Sequence, residues 1–441
     1  MKPFQQPIIE WLGTTPQGWT QARLKSIFRD NTGSISIEQL ASLEVQHYSI
    51  PNFDESGEPA TEVGATIASN KTLLRGGEIL YSKLNCHKPR VWLVPHNDMV
   101  KVASTEFIPL VEWHSGNVDK GYIAYLIGST VFAEYMTCFQ TSVTNSHRRI
   151  NPNDLWQTRI PFPPLVEQRQ IVSYLDASCE TIDTALLVKR QQLETLYLLR
   201  RSIIHRAVTK GLHQDVPMLN SDVEWFGEIP KHWNCEHLKR YTSRIQAGMT
   251  PPTNTPEYYS EGTIPWFAPG CFDGDIELRE PRKLINVLAR NEGELRIFPS
   301  GTVFLVGIGA TIGKVGLVPF EASCNQQLVG IVCGHKMLSR FLAYQYKIYE
   351  EIIPGIATAT TLPIFDQVKT GYLRTLQPPL KEQQSICDYL DAKLSESKEI
   401  ARGIDAQIAT LIAYRKSLIY ECVTGKRRIT ETDLKRLREH V

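Results

Sequence analysis

The segment Gly307-Ile308-Gly309-Ala310-Thr311-Ile312-Gly313-Lys314 has the glycine density of a phosphate-cradling turn. A phosphate loop would need glycine at 308 and serine or threonine at 315, where Ile308 and Val315 stand. The dinucleotide pattern fails as well, because Ile312 occupies its last glycine position. What these glycines permit is a tight turn, or close approach of a DNA backbone. No Asn/Asp-Pro-Pro-Tyr/Phe tetrad of an amino-methyltransferase occurs, and neither H-E-x-x-H nor G-x-S-x-G is present. The nine cysteines (86, 138, 179, 235, 271, 324, 333, 387 and 422) are scattered, odd in number and without a C-x-x-C pair. They read as reduced thiols, and no metal or cofactor is expected. Two groups of polar, basic loops remain. In the first half these are Lys83, Asn85, His87, Lys88 and Arg90, then Asn145, His147, Arg148 and Arg149. In the second half they are Gln246, Thr250, Thr253, Asn254, Lys314, Gln326 and Gln327. Arginine and lysine match guanine edges, and asparagine and glutamine match adenine edges, so base-edge hydrogen bonding is the chemistry such loops could do. The plainer reading of any one of them is a solvated surface residue.

The chain of 441 residues has a formal net charge of only +1, with 42% hydrophobic and 22% charged residues. That composition is ordinary for a globular protein. The small net charge taken alone argues against a nucleic-acid binder, so local distribution matters more. Lys189, Arg190, Arg200, Arg201, Arg206 and Lys210 cluster against Glu194, and Arg415, Lys416, Lys426, Arg427 and Arg428 against Glu421. Cations of this kind suit helix C-termini as well as phosphates. No apolar run approaches the ~20 residues needed to cross a bilayer. The start, MKPFQQPIIEWLG, lacks a charged segment followed by an apolar core, so a cytoplasmic protein without membrane association is expected.

The residues that position these loops are written twice. Glu10-Trp11-Leu12-Gly13-x-x-Pro16-x-x-Trp19 returns as Glu224-Trp225-Phe226-Gly227-x-x-Pro230-x-x-Trp233, and Leu24-Lys25 returns as Leu238-Lys239. Pro163-Pro164-Leu165-x-Glu167-Gln168-x-x-Ile171-x-x-Tyr174-Leu175-Asp176-Ala177 returns as Pro378-Pro379-Leu380-x-Glu382-Gln383-x-x-Ile386-x-x-Tyr389-Leu390-Asp391-Ala392. Between these blocks only a weak echo links Gly77–Tyr81 to Gly301–Leu305 and Val91–Val94 to Val315–Val318. Each half thus has a constant opening, a variable middle and a constant close. A drifted structural duplication is the bland account; two readers of different targets fit the pattern better.

The closing blocks predict long helices. The proline pair suits a helix start and the glutamate its first turn. Apolar residues then follow three-four spacing: Ile171, Leu175, Cys179, Ile182, Leu186, Leu193, Leu196, Ile203 and Ala207, interrupted by Lys189 and Arg200. The copy gives Ile386, Leu390, Leu394, Ala401, Ile404, Ile408, Leu411, Leu418 and Cys422. Roughly 40 helical residues span about 60 Å. A helix that long with one apolar stripe needs a partner, and its own copy is the nearest. The expected fold is therefore α+β: two mixed α/β domains separated by two long helices, which form an antiparallel intramolecular coiled coil with a pseudo-twofold repeat. The expected boundaries are 1–160 for the first variable domain, 161–211 for its helix and 212–222 for a linker. They continue with 223–376 for the second domain, 377–425 for its helix and 426–441 for a basic tail.

The doubled P-P-L-x-E-Q-x-x-I-x-x-Y-L-D block, the paired W-x-G-x-x-P-x-x-W opening and the Gly307–Lys314 segment resemble the specificity subunits of type I restriction–modification systems, over about residues 10 to 425. The first half carries Lys83-Leu84-Asn85-Cys86-His87-Lys88-Pro89-Arg90 where the second has its glycines. The resemblance implies a non-catalytic reader of a bipartite DNA site, one variable domain to each half-site. Its partners would be double-stranded DNA, two methyltransferase subunits docked on the helices, and motor–nuclease subunits joining through the complex. The seam residues Ile171, Leu175, Ile182, Leu186, Leu193, Leu196, Ile203, Ile386, Leu390, Leu394, Ile404, Ile408, Leu411 and Leu418 would hold the helix pair and its docking surface. The alternatives are the reader of a related multi-subunit restriction enzyme, a coiled-coil adaptor that binds no DNA, and an independent enzyme.

Overall fold

The computed structural model describes residues 8–9, 11–31, 33–114, 116–142, 148–213, 215–357 and 364–439. The chain forms two compact units, Met1–Arg190 with Asp405–Val441, and Gln191–Ile404. The division falls inside both long helices, Leu165–Lys210 and Leu380–Val423. Each unit thus combines one sheet-bearing head with the first part of its own long helix and the last part of the other.

The helices start where the doubled proline places them. Pro164 O accepts from Glu167 N (2.9 Å) and Gln168 N (3.0 Å), and Pro379 O accepts from Glu382 N (2.9 Å) and Gln383 N (3.0 Å). They end at Gly211 and Gly425, with φ of +71° and +73°, the left-handed termination that glycine adopts without a Cβ penalty. At Gly425 a Cβ would also collide with Pro16 and approach Trp19 of the first opening block.

In the first unit, Ile171, Leu175, Ile182 and Leu186 share a core with Leu418, Cys422 and Val423, and Ile408 and Leu411 pack against it. Glu167 pairs with Arg428 (2.6 Å) and Asp183 with Arg415 (3.0 Å), so the two helical segments run antiparallel. In the second unit, Ala207 and Val208 share a core with Ile386, Cys387 and Leu390, flanked by Ile203 and Leu394. Leu193, Leu196 and Ile404 are half-buried. A fully buried leucine or isoleucine contributes about 1.5–3 kcal/mol, against about 0–1 for an exposed ion pair. The apolar stripes therefore hold the helices, and the ion pairs follow.

The two heads share more topology than their sequences. In the first, Val91–Leu93, Ile79–Ser82, Phe107–Glu112 and Phe28–Asp30 form a four-stranded antiparallel sheet in that spatial order. In the second, Val315–Val318, Thr302–Val306, Leu328–Cys333 and Thr242–Ala247 repeat it. A second sheet contains one parallel pair in each head: Glu44–Tyr48 with Val100–Ala103, and Ile264–Phe267 with Ser323–Cys324. The first head extends that sheet to five strands and the second has three. Segment 212–222 holds a short strand, Met218–Asn220, paired with Glu228–Pro230. The basic tail contains a helix, Glu431–Glu439, started by reciprocal Thr430–Asp433 bonds, whose Leu434 and Leu437 pack on the core of the first unit.

The invariant letters of the closing block fasten each head to its helix. Gln168, fully buried, accepts from Asp119 N (2.9 Å) and donates to Pro163 O (2.8 Å). Gln383, also fully buried, accepts from Leu338 N (2.8 Å) and donates to Pro378 O (2.8 Å) and Lys336 O (3.0 Å). Asp119 and Leu338 precede the head helices Lys120–Ile127 and Ser339–Tyr346. Tyr125 on the former donates to Asp176 (2.7 Å), and Tyr344 on the latter donates to Asp391. Leaving buried backbone groups unpaired costs about 1–3 kcal/mol. Gln383→Leu is therefore expected to destabilise the second unit by about 2 kcal/mol in urea unfolding, whereas the exposed neighbour change Gln384→Ala stays near wild type. Equal effects would contradict this role of the amide.

Candidate nucleic-acid interface

Three of the sequence candidates of the second unit, Thr250, Gln326 and Gln327, meet at one corner of its head. Strand Thr302–Val306 runs into Gly307, whose N–H donates to Gln327 O (2.8 Å) and whose carbonyl accepts from Phe365 N (2.7 Å). A Cβ on Gly307 would lie 2.5 Å from Phe365 O, so only glycine fits between these segments. Ile308 then bridges to Ile364, and Gly309 turns with φ of +108°. Asn325 shapes the facing turn: its Oδ1 accepts from Gln327 N (3.1 Å) and its Nδ2 donates to Gln327 Oε1 (2.8 Å). Gln326 is exposed and accepts from the Thr250 hydroxyl. The short helix Gln367–Gly371 closes the corner, capped by Asp366, with Gln367 Oε1 accepting from Ala247 N (3.1 Å). Arg296, Gln326, Gln327, Gln367 and Val368 line a cavity of about 400 Å³ here. One helical turn beyond Val368, Tyr372 is exposed with Lys239 Nζ 3.7 Å from its ring centre. That ammonium draws the Tyr372 phenol below its usual pKa.

The first unit builds the same corner from different residues. Lys83 N donates to Glu106 O (2.9 Å), and Ile150 N donates to Lys83 O (3.1 Å). Leu84 bridges to Arg149, as Ile308 does to Ile364. Asn85 stands at φ +51°, in the place of Gly309, a region that asparagine tolerates better than most residues. Ser104 takes the part of Asn325, accepting from Glu106 N (3.3 Å). Lys83-Leu84-Asn85 is therefore the counterpart of Gly307-Ile308-Gly309. The match is hidden in the sequence because Lys83 precedes Gly307 by 224 positions while Ile150 precedes Phe365 by 215. Arg149 donates to Glu106 through Nε (3.0 Å) and Nη2 (2.9 Å), and Asn85 and Arg148 exchange bonds of 2.7 and 3.2 Å.

The remaining candidates disperse. His87 and Lys88 are exposed beside the first corner. Arg90 is not at the surface: it is 5% exposed, its fork held by Asp54 (2.6 and 2.7 Å) and its Nη1 on Leu84 O (3.3 Å). It supports the corner from behind. Gln246 is half-buried in a strand facing Gly330, and Thr253 and Asn254 are exposed. Lys314 lines a separate cleft of about 980 Å³ with Arg200, Arg340, Asp391 and Lys398. Asn145 and His147 lie outside the described residues. Sequence reasoning missed Glu106, Asn325, Gln367 and Tyr372, which gain meaning only from what they face. Among the described residues no group of His, Cys, Asp or Glu could hold a metal ion, and no helix is long and apolar enough to cross a membrane.

The Arg90 guanidinium holds the Asp54 carboxyl below the usual carboxylate range. Its stabilisation is therefore complete above that range and lost as pH falls through the lowered value. Arg90→Met should cost the first unit about 1–2 kcal/mol at neutral pH, with Asp54 partly screened by water. In urea titrations the gap from wild type should narrow on acidification; a gap independent of pH would contradict the pairing.

Residues 243–410 match the family model of the type I restriction modification DNA specificity domain. A Methanocaldococcus jannaschii protein, described as a candidate type I restriction enzyme MjaX specificity subunit, is 23% identical over 95% of this chain and 96% of its own length. The EcoR124I/EcoR124II specificity subunit of Escherichia coli is 23% identical over 42% of this chain and 45% of its own. A chain from a structural study of assembly and conformational transition in a type I restriction–modification system superposes with a TM-score of 0.75, at 19% identity. It covers 94% of this chain and 100% of that one. The HsdS subunit of Thermoanaerobacter tengcongensis gives 0.51 at 18% identity, covering 94% and 98%.

Proposed function

We propose that this chain, which carries a type I restriction modification DNA specificity domain and resembles type I specificity subunits along nearly its whole length, reads a bipartite DNA site, one head to each half-site, without chemistry of its own. The observation that carries the reading is the contrast inside the repeat. The helix starts, the buried glutamines and the tyrosine–aspartate bonds recur, while the corners they hold present different side chains. Each good base contact discriminates by about 1–3 kcal/mol. A handful in each head reaches the roughly 4–10 kcal/mol that separates specific from non-specific binding.

The reaction belongs to partners: methyltransferase subunits, two by the twofold repeat, with motor–nuclease subunits joining through them. Exposed apolar side chains on the long helices support a docking role. They are Leu187, Val188, Ile412 and Tyr414 in the first unit, and Tyr197, Leu198, Leu199 and Ile400 in the second. The net charge of +1 leaves much of the phosphate grip to those subunits.

Co-expression with the partner methyltransferase, followed by mapping of methylated adenines, tests the proposal. The expected motif is asymmetric and in two parts around an unread gap, and appears only when both proteins are present. Methylation of one contiguous motif, or the same methylation without this chain, would contradict it.

A further inference from the structure

The equivalence of the two corners makes their chemistry comparable position by position. Where the first unit has Arg149, the second has Ile364, since each bridges to the matching residue, Leu84 or Ile308. Where the first has Glu106, the second has Gln327, because each N–H is taken by the preceding cap, Ser104 or Asn325. Thr105 correspondingly becomes Gln326. A charged pair on one corner is replaced by an aliphatic side chain and amides on the other.

Resting on the DNA-reading function proposed above, we infer that the two corners read different base pairs, G·C by the first unit and A·T by the second. In the first, Glu106 holds the Arg149 guanidinium by two bonds at the rim, with the Arg149 side chain 47% exposed. A fork oriented in this way matches the O6 and N7 acceptors of guanine, and a carboxylate beside it matches the N4 donor of cytosine. In the second unit, the Nε2 groups of Gln326, Gln327 and Gln367 have no hydrogen-bond partner among the described residues. Gln326, Gln327 and Gln367 border one cavity, and Ile364, 41% exposed, adjoins it through Phe365. Glutamine amides match N6 and N7 of adenine, and an exposed aliphatic group matches the C5-methyl of thymine. At the Arg149 position this corner has Ile364, and Arg296, which lines the same cavity, donates to the Ala247 carbonyl. Lys239, over Tyr372, is placed further along the edge, as a phosphate contact would be.

The test uses the complex with its methyltransferase and a panel of duplexes, each with one base pair of the methylated motif replaced. For Arg149→Gln, the preference for G·C at one position of one half-site should fall by about tenfold or more, with the other half-site unchanged. Arg149→Lys, which keeps the charge but not the fork, should lose the same preference. The double change Gln326→Ala with Gln327→Ala, and separately Ile364→Ser, should relax an A·T position in the other half-site. Salt dependence should stay at the wild-type slope, because no phosphate contact is removed. Uniform weakening on every duplex with a slope reduced by about one would assign these residues to phosphates and overturn the inference. Unchanged selectivity in folded variants, checked by thermal unfolding, would overturn it too. A wild-type complex that selects no sequence would remove the functional reading itself, and this assignment with it.

Discussion

The buried amide of the closing block is the constraint on which each unit depends. Gln168 and Gln383 sit in the first turn of the long helices, where free N–H groups and incoming carbonyls crowd together. By bridging a proline carbonyl to the backbone of the head, each glutamine fixes the angle at which the head meets its helix. The tyrosine–aspartate bond two turns later fixes rotation about that contact. The glutamine amides are fully buried, so they do not tolerate loss of their partners, whereas the tyrosine–aspartate bonds lie nearer the surface. Arg340, which adds a forked bond to Asp391 and another to Glu277, reinforces the contact in the second unit.

With the frame held, the corner is free to vary. Its backbone is set by ladder bonds common to both units, residue 83 or 307 to the facing turn and residue 150 or 365 back to it, although at 307 the close approach of Phe365 O leaves room for glycine alone. Ile150 and Phe365 belong to the apolar clusters below, whereas Arg149, Glu106, Ile364 and Gln327 lie outside them. That separation of stability from surface chemistry lets glycine, lysine, arginine or glutamine occupy matching places. Arg90 shows the opposite case within the same loop: one residue of the basic run is turned inward to brace Leu84.

The long helices and their apolar stripe were legible in the sequence because spacing carries them, and their antiparallel pairing because the repeat implies a twofold axis: eight of the nine apolar stripe positions from Ile171 to Ala207 recur as apolar 215 residues later, none of them exposed. The doubled motif likewise marked the helix starts. The corner was not legible, because unequal loops shift the register between Lys83 and Ile150, and because Asn85 replaces a glycine by tolerance of the same backbone region. Nor could the sequence separate Arg90 from Arg149. Both are arginines in polar runs, and only the fold brings Asp54 to one and Glu106 to the other. Gln367 and Tyr372 were invisible for a related reason: a helix of five residues has no periodicity to detect, and its importance lies in the strand it flanks.

The account makes the frame common and the middle of each half independent. The direct measurement is an exchange: residues 25–150 are replaced by the corresponding middle from a type I specificity subunit of known motif, with both closing helices left intact, and the methylated motif is mapped again. One half of the motif should change to that of the donor while the other half stays as it was. A change in both halves, or a motif unaltered by the exchange, would contradict the claim that each head reads on its own.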